Sequence, residues 1–202
     1  MTLKVFKMLD TELMERFFDI IISIILVFVL SPLSLVILIV VVIESHGRPF
    51  FRQRRVGKEG KEFIIYKFRT MKTANEGKLD EGSIFKPSSN NDPRITRLGF
   101  TLRRTHLDEL PQLINVIKGD MSLVGVRPDI PAQISQYTED EWRRRNRLRP
   151  GITGKAQISL AANHSFRQRL KEDLDWTENN SIFTYFKCIF FTIIKMFKMT
   201  GV

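Results

Sequence analysis

A 27-residue stretch with one charged residue most constrains how this chain folds: within Phe17–Ile43 only Asp19 is charged. A run of about 18 or more apolar residues is the usual signature of a membrane helix. The stretch exceeds the roughly 7–15 apolar residues of a signal peptide, and no small-x-small cleavage pattern follows it. The sequence therefore predicts a membrane segment.

Ser31-Pro32 interrupts this segment. A proline has no N–H, so the carbonyl four residues earlier, that of Phe28, loses its helical donor. An unpaired carbonyl in lipid costs several kcal/mol, and we expect the hydroxyl of Ser31, or that of Ser34, to bond back to it. The halves before and after the break reach roughly 21 Å and 16 Å, and neither crosses a hydrocarbon core of about 30 Å.

Basic residues flank both ends of the segment, and lysine and arginine near a membrane segment favour the cytoplasmic side. Three precede it and five follow it: Lys4, Lys7 and Arg16, then Arg48, Arg52, Arg54, Arg55 and Lys58. Both ends are therefore predicted to face the cytoplasm, as in a re-entrant helix-break-helix that enters one leaflet and returns. A kinked but ordinary spanning helix is the alternative.

The composition of the chain indicates which classes of partner and site are compatible with it. Thirty-two Lys and Arg against 22 Asp and Glu give a formal charge of +10, which indicates an anionic partner such as phospholipid headgroups, a nucleotide or nucleic acid. A hydrophobic content of 43% excludes a disordered chain. A single cysteine, Cys188, excludes a disulfide scaffold and, with three scattered histidines, argues against a His/Cys zinc site. Because no Walker-type loop and no G-x-G-x-x-G occurs, we expect arginine, lysine and a metal to hold the anion.

Local patterns predict a mixed α/β body that is mostly helical. Residues 63–66 have the composition of a strand, and residues 94–118 and 129–147 have helical patterns. Residues 72–93 predict a loop, and residues 149–154 predict turns.

Residues 182–199 are dense in Phe, Ile and Met, with Lys187, Lys195 and Lys198 interspersed. This pattern fits an amphipathic helix in the membrane interface, whose lysines reach the lipid phosphates. It fits a helix packed on the soluble core equally well.

The densest cluster of chemically capable residues surrounds Asp108-Glu109. Because proline is tolerated only in the first turn of a helix, Pro111 predicts that a helix begins near Asp108. A carboxylate there lies at the positive end of the helix dipole, which favours its charged form. Two adjacent carboxylates in a basic chain suit a divalent cation. The alternative is that Asp108 only caps the helix.

Several basic groups accompany this pair, although each by itself is also typical of a solvated surface. Arg127 follows Gly125, which permits a tight turn, and its guanidinium can bind phosphate oxygens in a bidentate way. Lys67 and Arg69 follow the predicted strand, and Arg94 opens a further basic group.

With these motifs in this order, the sequence resembles the monotopic phosphoglycosyl transferases, also called bacterial sugar transferases, in their small form. The matching segments run from the membrane segment almost to the C-terminus: Ser31-Pro32, 52–57, 66–71, 92–96, 107–113, 119–125, Arg127-Pro128 and 149–154. Two departures are Val126, where the family usually has proline, and residues 158–163, where larger relatives often have a Gly-Arg-Asn stretch.

The resemblance implies a reaction and a site. A sugar 1-phosphate passes from a UDP-sugar to a polyprenol phosphate, usually undecaprenyl phosphate, and UMP leaves. Asp108 matches the nucleophile that forms a covalent phosphosugar intermediate, Glu109 matches its dyad partner, and Mg²⁺ is the cofactor, with both carboxylates as metal ligands. The implied substrate- and phosphate-binding residues are Lys67, Arg69, Arg94, Arg127 and Arg149.

The resemblance also implies where the protein works. We expect residues 1–46 to form the re-entrant membrane helix. Residues 47–202 would form a catalytic domain that faces the cytoplasm, with a C-terminal interfacial helix, at the bacterial inner membrane. Membrane phospholipid is then a further partner; nucleic acid is not, and no oligomeric state is predicted.

Two other functions are compatible with the basic membrane-anchored pattern. A non-catalytic membrane-surface scaffold would need the basic face but not Asp108-Glu109. A membrane-tethered nucleic-acid binder would bind in a strongly salt-dependent way. Few aromatic residues are interleaved with the arginines, which argues against stacking on single strands.

Overall fold

The computed structural model describes residues 2–45, 47–72, 92–159 and 165–197, with only the helical backbone for residues 2–9. Within these ranges the chain forms eight α-helices and four short β-strands in two separate sheets. This is the mostly helical α/β mixture that the sequence predicts. Almost all of the predicted loop at 72–93, and residues 160–163 of the segment that departs from the family pattern, lie outside the described residues.

The apolar N-terminal segment forms two helices, α1 (Thr2–Val29) and α2 (Ser31–Ser45), which are bent by 63° at their junction. Pro32 lies in the first turn of α2, where a missing N–H has no consequence. The Ser31 hydroxyl donates to the Phe28 carbonyl at 2.8 Å, which confirms the predicted compensation. Among the described helices, none alone is long and apolar enough to cross a membrane, whereas this bent pair is, by length and composition.

Helix α1 buries a stripe of polar residues against the body, next to apolar residues that pack on the core, and its outward side is apolar. Glu15, Asp19 and Ser23 are 6%, 1% and 0% exposed, whereas Phe28 is 81% exposed. Water-facing helices have the opposite distribution, because burying polar groups and exposing apolar ones is unfavourable in water. This arrangement suits contact with lipid on the outer side.

The body contains two two-stranded sheets and six further helices within the described residues. Strands β1 (Phe50–Val56) and β2 (Glu62–Phe68) pair antiparallel, and β3 (Ser122–Val124) pairs parallel with β4 (Gly151–Thr153). The helices are α3 (Arg97–Thr105), α4 (Gln112–Lys118), α5 (Glu139–Arg145), α6 (Lys155–Ser159), α7 (Phe166–Asn179) and α8 (Ile182–Phe197). Strand β2 contains the predicted strand, whereas β1 was not predicted because basic side chains interrupt its apolar residues.

The predicted helical segment 94–118 is two helices separated by a 3₁₀ turn, Leu107–Glu109. His106 ends α3 with a left-handed backbone (φ 58°), a conformation that a helix cannot continue through. Helix α4 therefore begins at Gln112 with Pro111 as its N-cap, and not near Asp108 as the sequence predicts.

The predicted helix 129–147 is also divided. A 3₁₀ turn, Pro131–Gln136, precedes α5, which starts separately because Thr138 and Glu141 form a reciprocal capping box. The turn-rich segment after it contains β4.

Gly125 is required by packing and not by a turn. A Cβ at this position would lie 2.6 Å from the Arg149 carbonyl oxygen and 2.7 Å from the Gly151 nitrogen. The backbones of β3 and β4 thus approach too closely for any side chain.

Helix α8 has one face in the core and one face outside. Tyr185 and Cys188 are 0% and 1% exposed in the main hydrophobic core, whereas Phe183 and Phe190 are 75% and 60% exposed. The helix is therefore packed on the body, and its outer aromatic face leaves the interfacial hypothesis in place for that side.

Candidate active site

Four of the predicted site residues lie together at the 3₁₀ turn that precedes α4. Lys67 Nζ lies 2.5 Å from Glu109 Oε1 and 3.9 Å from Asp108 Oδ2. Arg127 Nη1, from the loop after β3, lies 3.9 Å from Glu109 Oε1. Two adjacent carboxylates and two cations from three separate parts of the chain thus form one cluster.

A buried amide brings β2 to this turn. The Asn115 side chain, on α4, donates to the Ile64 carbonyl at 2.7 Å and accepts from the Tyr66 N–H at 3.1 Å. It therefore pairs with the edge of β2 as a neighbouring strand would, and Lys67 follows directly in that strand. Sequence reasoning missed Asn115; the signal was a polar residue between Leu113 and Val116 on the apolar face of the predicted helix.

The two carboxylates experience opposite electrostatic environments. Burial raises the pKa of Asp108, and the Lys67 ammonium only partly opposes this. Burial also disfavours the charged form of Glu109, but Lys67 and Arg127 outweigh it and lower its pKa to about 2. The expectation that the dipole of a helix beginning at Asp108 favours its charged form does not hold, because Asp108 is buried in a 3₁₀ turn before that helix.

Asp108 is the less engaged of the pair. Its carboxylate accepts no hydrogen bond from the described residues, and its side chain is 11% exposed. Since Pro111 is the N-cap of α4, the structure does not support the alternative in which Asp108 only caps that helix. A carboxylate that is close to a cation but not hydrogen-bonded is available to a substrate.

No contact with the dyad is described for the other three predicted phosphate-binding residues among the described residues. Arg94 forms an exposed ion pair with Asp92 at 2.7 Å. Arg149 pairs with Glu12 of α1 at 3.0 Å and donates to a main-chain carbonyl at the end of α4. Arg69 is partly buried just after β2. The assignment of these three residues to phosphate binding stays a prediction.

Arg55, in the segment 52–57 that matches the family pattern, lies next to this cluster and was not predicted as a site residue. Its Nη1 donates to the Pro128 carbonyl at 3.0 Å, and its buried Nε has no hydrogen-bond partner among the described residues. Burial and the nearby Arg127 lower its pKa to about 10. Because two guanidinium groups lie close together, positive charge accumulates here, which favours an anionic ligand.

The donor set at this site suits a metal ion only in combination with a ligand. Among the described residues, no three His, Cys, Asp or Glu side chains are grouped closely enough to hold a metal. Mg²⁺, however, is commonly bound by one or two carboxylates together with substrate phosphates and water. Asp108 and Glu109 fit that mode and not an all-protein metal cage.

Comparison with known proteins identifies the family of the chain. The model of the family described as bacterial sugar transferase matches residues 10–199. The chain is 36% identical over 193 residues to the UDP-glucose:undecaprenyl-phosphate glucose-1-phosphate transferase of Escherichia coli (strain K12), covering 92% of this chain and 40% of that protein. It is 36% identical to the uncharacterized sugar transferase EpsL of Bacillus subtilis (strain 168), covering 94% and 90% of the two chains.

A third relative is the exopolysaccharide production protein PSS of Rhizobium leguminosarum bv. phaseoli, 38% identical, with 90% of this chain and 94% of that protein covered. The chain spans only 35–40% of the length of three longer relatives that are named as glucose-phosphate transferases. Because a family model matches nearly its whole length, the chain belongs to the bacterial sugar transferase family.

Proposed function

We propose that this protein transfers a sugar 1-phosphate from a UDP-sugar to undecaprenyl phosphate or a similar polyprenol phosphate, giving a polyprenyl-diphosphosugar and UMP. The names of several relatives support this donor and acceptor. One observation carries the proposal: Glu109 is paired with cations, whereas the adjacent Asp108 accepts no hydrogen bond from the described residues.

The reaction proceeds in two displacement steps. An Asp108 carboxylate oxygen attacks the β-phosphorus of the UDP-sugar; the bond from that phosphorus to the bridging oxygen breaks, and UMP leaves. A phosphate oxygen of the lipid then attacks the same phosphorus and releases Asp108. A carboxylate nucleophile divides one difficult exchange into two easier steps.

Cations around the dyad make the first step possible, because attack by an anion on a diphosphate requires charge neutralisation. Lys67 shields Glu109 and lies within 3.9 Å of Asp108, and Arg127 is half-exposed beside them. Bound to Asp108 and Glu109 together with the diphosphate, Mg²⁺ would reduce the remaining repulsion. Arg127 is the side chain best placed to bind phosphate oxygens, since its guanidinium offers a planar two-point contact.

The helix pair would form a re-entrant membrane segment. On the N-terminal side of the bend, Glu12 pairs with Lys58 at 2.5 Å and Asp19 accepts from a β3 main-chain N–H at 2.8 Å. On the C-terminal side, Glu44 accepts from the Arg97 N–H at 2.8 Å. Both arms of the pair contact the same body, which supports a return to the side of entry and not a crossing.

This topology supports a monotopic protein at the bacterial inner membrane, with residues 47–202 as the cytoplasmic catalytic domain. The exposed aromatic face of α8 would contact phospholipid in the interface, with the bend of α1 and α2 inserted deeper. The dyad would then lie near the level of the lipid phosphate that it must reach.

The proposed reaction is tested with the Asp108→Asn variant. Purified protein is incubated with a panel of UDP-sugars and Mg²⁺, with and without undecaprenyl phosphate, and UMP release and the intact protein mass are measured. Wild type should form a phosphosugar adduct that maps to the peptide containing Asp108. Asp108→Asn should form no adduct and release no UMP, because an amide cannot act as the nucleophile.

Two further variants sharpen this experiment. Glu109→Gln should be impaired but form the adduct slowly if Glu109 only assists. Asp140→Asn, at an exposed ion pair on α5, is the matched control and should keep full activity. Full activity of Asp108→Asn, or an adduct on another peptide, would overturn the mechanism; absence of UMP release from wild type with every UDP-sugar would favour a non-catalytic scaffold.

A further inference from the structure

The main chain that carries Arg127 is held by donors at three successive carbonyls. Arg145 Nη2 donates to the Arg127 carbonyl at 2.8 Å. Arg55 Nη1 donates to the next carbonyl at 3.0 Å, and the N–H of the last residue of β1 donates to the one after at 2.9 Å. Pro128 and Asp129 are buried, and buried carbonyls need a partner; here two of the three donors are arginine side chains from other elements.

Arg145 is suited to hold a fixed position. It is 0% exposed, and it lies between two buried carboxylates, with Nη1 2.8 Å from Asp129 and Nε 2.9 Å from Asp173. Asp129 also accepts from the Tyr137 hydroxyl at 2.6 Å. A buried guanidinium is tolerated only when its donors are used in a defined geometry, so the arm that reaches the Arg127 carbonyl has little freedom.

The Arg127 side chain contrasts with this rigid main chain. It is 50% exposed, and its ion pair with Glu109 is long, at 3.9 Å. A long side chain with so few contacts can reach a substrate phosphate reproducibly only if its Cα is held in place. Displacement of a binding group by about 1 Å can reduce a reaction rate by roughly 100-fold.

We propose that Arg145 and Arg55 are positioning residues, which fix the Arg127 main chain so that its guanidinium meets the substrate phosphate beside the dyad. Neither needs to touch the substrate for this role. The inference rests on the proposed function, in which Arg127 binds phosphate.

A double-mutant cycle tests the proposal. Arg145→Lys keeps a positive charge between Asp129 and Asp173 but loses the arm that reaches the Arg127 carbonyl; Arg55→Lys is the second variant, at a less buried site. Each is made in wild type and in Arg127→Ala, and KM for the UDP-sugar, kcat for UMP release and Tm are measured.

We expect each lysine variant to lower kcat/KM by about 10- to 100-fold in wild type, mainly through KM. In the Arg127→Ala background the same change should alter kcat/KM by less than about twofold, because the group it positions is gone, while Tm falls as much as before. Arg144→Lys, at an exposed ion pair on the same helix as Arg145, is the control and should leave kcat/KM unchanged.

The outcomes separate the inference from the function beneath it. Folded lysine variants with unchanged kcat/KM in wild type, or with an undiminished loss in Arg127→Ala, overturn the positioning role alone. Full activity of Arg127→Ala also overturns the positioning role, because then no phosphate contact by Arg127 is needed, but it leaves the proposed reaction standing. Absence of UMP release from wild type would overturn the reaction itself. If Arg145→Lys does not fold, the proposal is tested with Arg55→Lys alone, by comparing its loss of kcat/KM in wild type and in Arg127→Ala.

Discussion

Neighbouring carboxylates on one short turn acquire different chemical properties from the groups around them. Lys67 and Arg127 keep Glu109 ionised, whereas burial raises the pKa of Asp108 and Lys67 opposes this only in part. Sites that divide labour between two acids commonly shift their pKa values in opposite directions. If Asp108 is the nucleophile, as proposed, a cation that approaches it would favour its charged form.

Arg127→Lys tests whether shape or charge matters at the phosphate contact. A lysine ammonium keeps the charge but cannot make a planar two-point contact. We expect kcat/KM for UMP release to fall about 10- to 100-fold, which corresponds to the ~1.5–3 kcal/mol of a charged hydrogen bond. Arg143→Lys on α5, where the side chain is 81% exposed, is the control. Equal activity of Arg127→Lys and wild type would assign Arg127 a purely structural or solvated role.

Cys188 gives a prediction about pH. It is 1% exposed, and burial raises its pKa to about 11. Because the thiolate is the reactive form, a pKa raised by about two units lowers reactivity near pH 7.5 about 100-fold relative to an ordinary thiol, before any steric protection. Labelling with a water-soluble maleimide should be slow in the folded protein, accelerate as the pH rises, and become fast in denaturant. Rapid labelling of the native protein at pH 7.5 would contradict the buried position of α8.

At the scale of single elements, the break between α1 and α2 depends on two residues with complementary effects. Pro32 removes the donor that the Phe28 carbonyl would have in a continuous helix, and the Ser31 hydroxyl replaces it. The bend is thereby compatible with lipid, where no water would satisfy that carbonyl. The Ser34 hydroxyl, the other predicted donor, makes no hydrogen bond to the Phe28 carbonyl among the described contacts.

Pro32→Ala restores the missing N–H and should shift the population toward a straighter, spanning helix. The shift is measured with a cysteine at position 10, labelled by an impermeant reagent from the side of the membrane opposite the body. Labelling from that side should be greater with Pro32→Ala than with Pro32 intact. Ser34→Ala, one turn further along and without a bond to the break, should leave the accessibility unchanged. No increase for Pro32→Ala would mean that the contacts of both arms with the body, and not the proline, maintain the bend.

At the scale of the whole molecule, an apolar helix pair with a buried polar stripe on α1 packs against the body of the protein. The single charge of the apolar segment, Asp19, is bonded to the Tyr185 hydroxyl at 2.8 Å as well as to β3. The segment is thus attached both to α8 and to the strand that precedes Arg127. Helix α1 therefore cannot move independently of the candidate active site.

Single-cysteine labelling in a Cys188→Ala background tests this architecture, because the native Cys188 would itself be labelled in denaturant. Asp10→Cys and Lys61→Cys, both at exposed positions near opposite ends of the segment, should be labelled by an impermeant maleimide from the same side of the membrane. Phe28→Cys, 81% exposed in the protein alone, should resist that reagent in vesicles and react in detergent-free denaturant. Labelling of the first two from opposite sides would show a spanning helix.

Several features follow from the sequence because they depend on local chemistry. The apolar segment, its break at Ser31-Pro32 and the strand around residues 63–66 are local patterns, and all three are present in the structure. The Asp108-Glu109 pair was recognised because its motif is contiguous. Family membership, likewise, follows from the order of short motifs along the chain.

Only the tertiary structure decided how the site is assembled and where its helices begin. His106 and Pro111 divide the predicted helix because the chain must turn there to present the dyad to Lys67, a contact between residues about 40 positions apart. The buried roles of Asn115 and Arg145 depend on partners far away in sequence, and no local pattern specifies them. Hydrogen bonds and ion pairs between distant segments form only when those segments pack together. The candidate reactive residues can therefore be identified from the sequence, whereas packing determines their charge, orientation and neighbours.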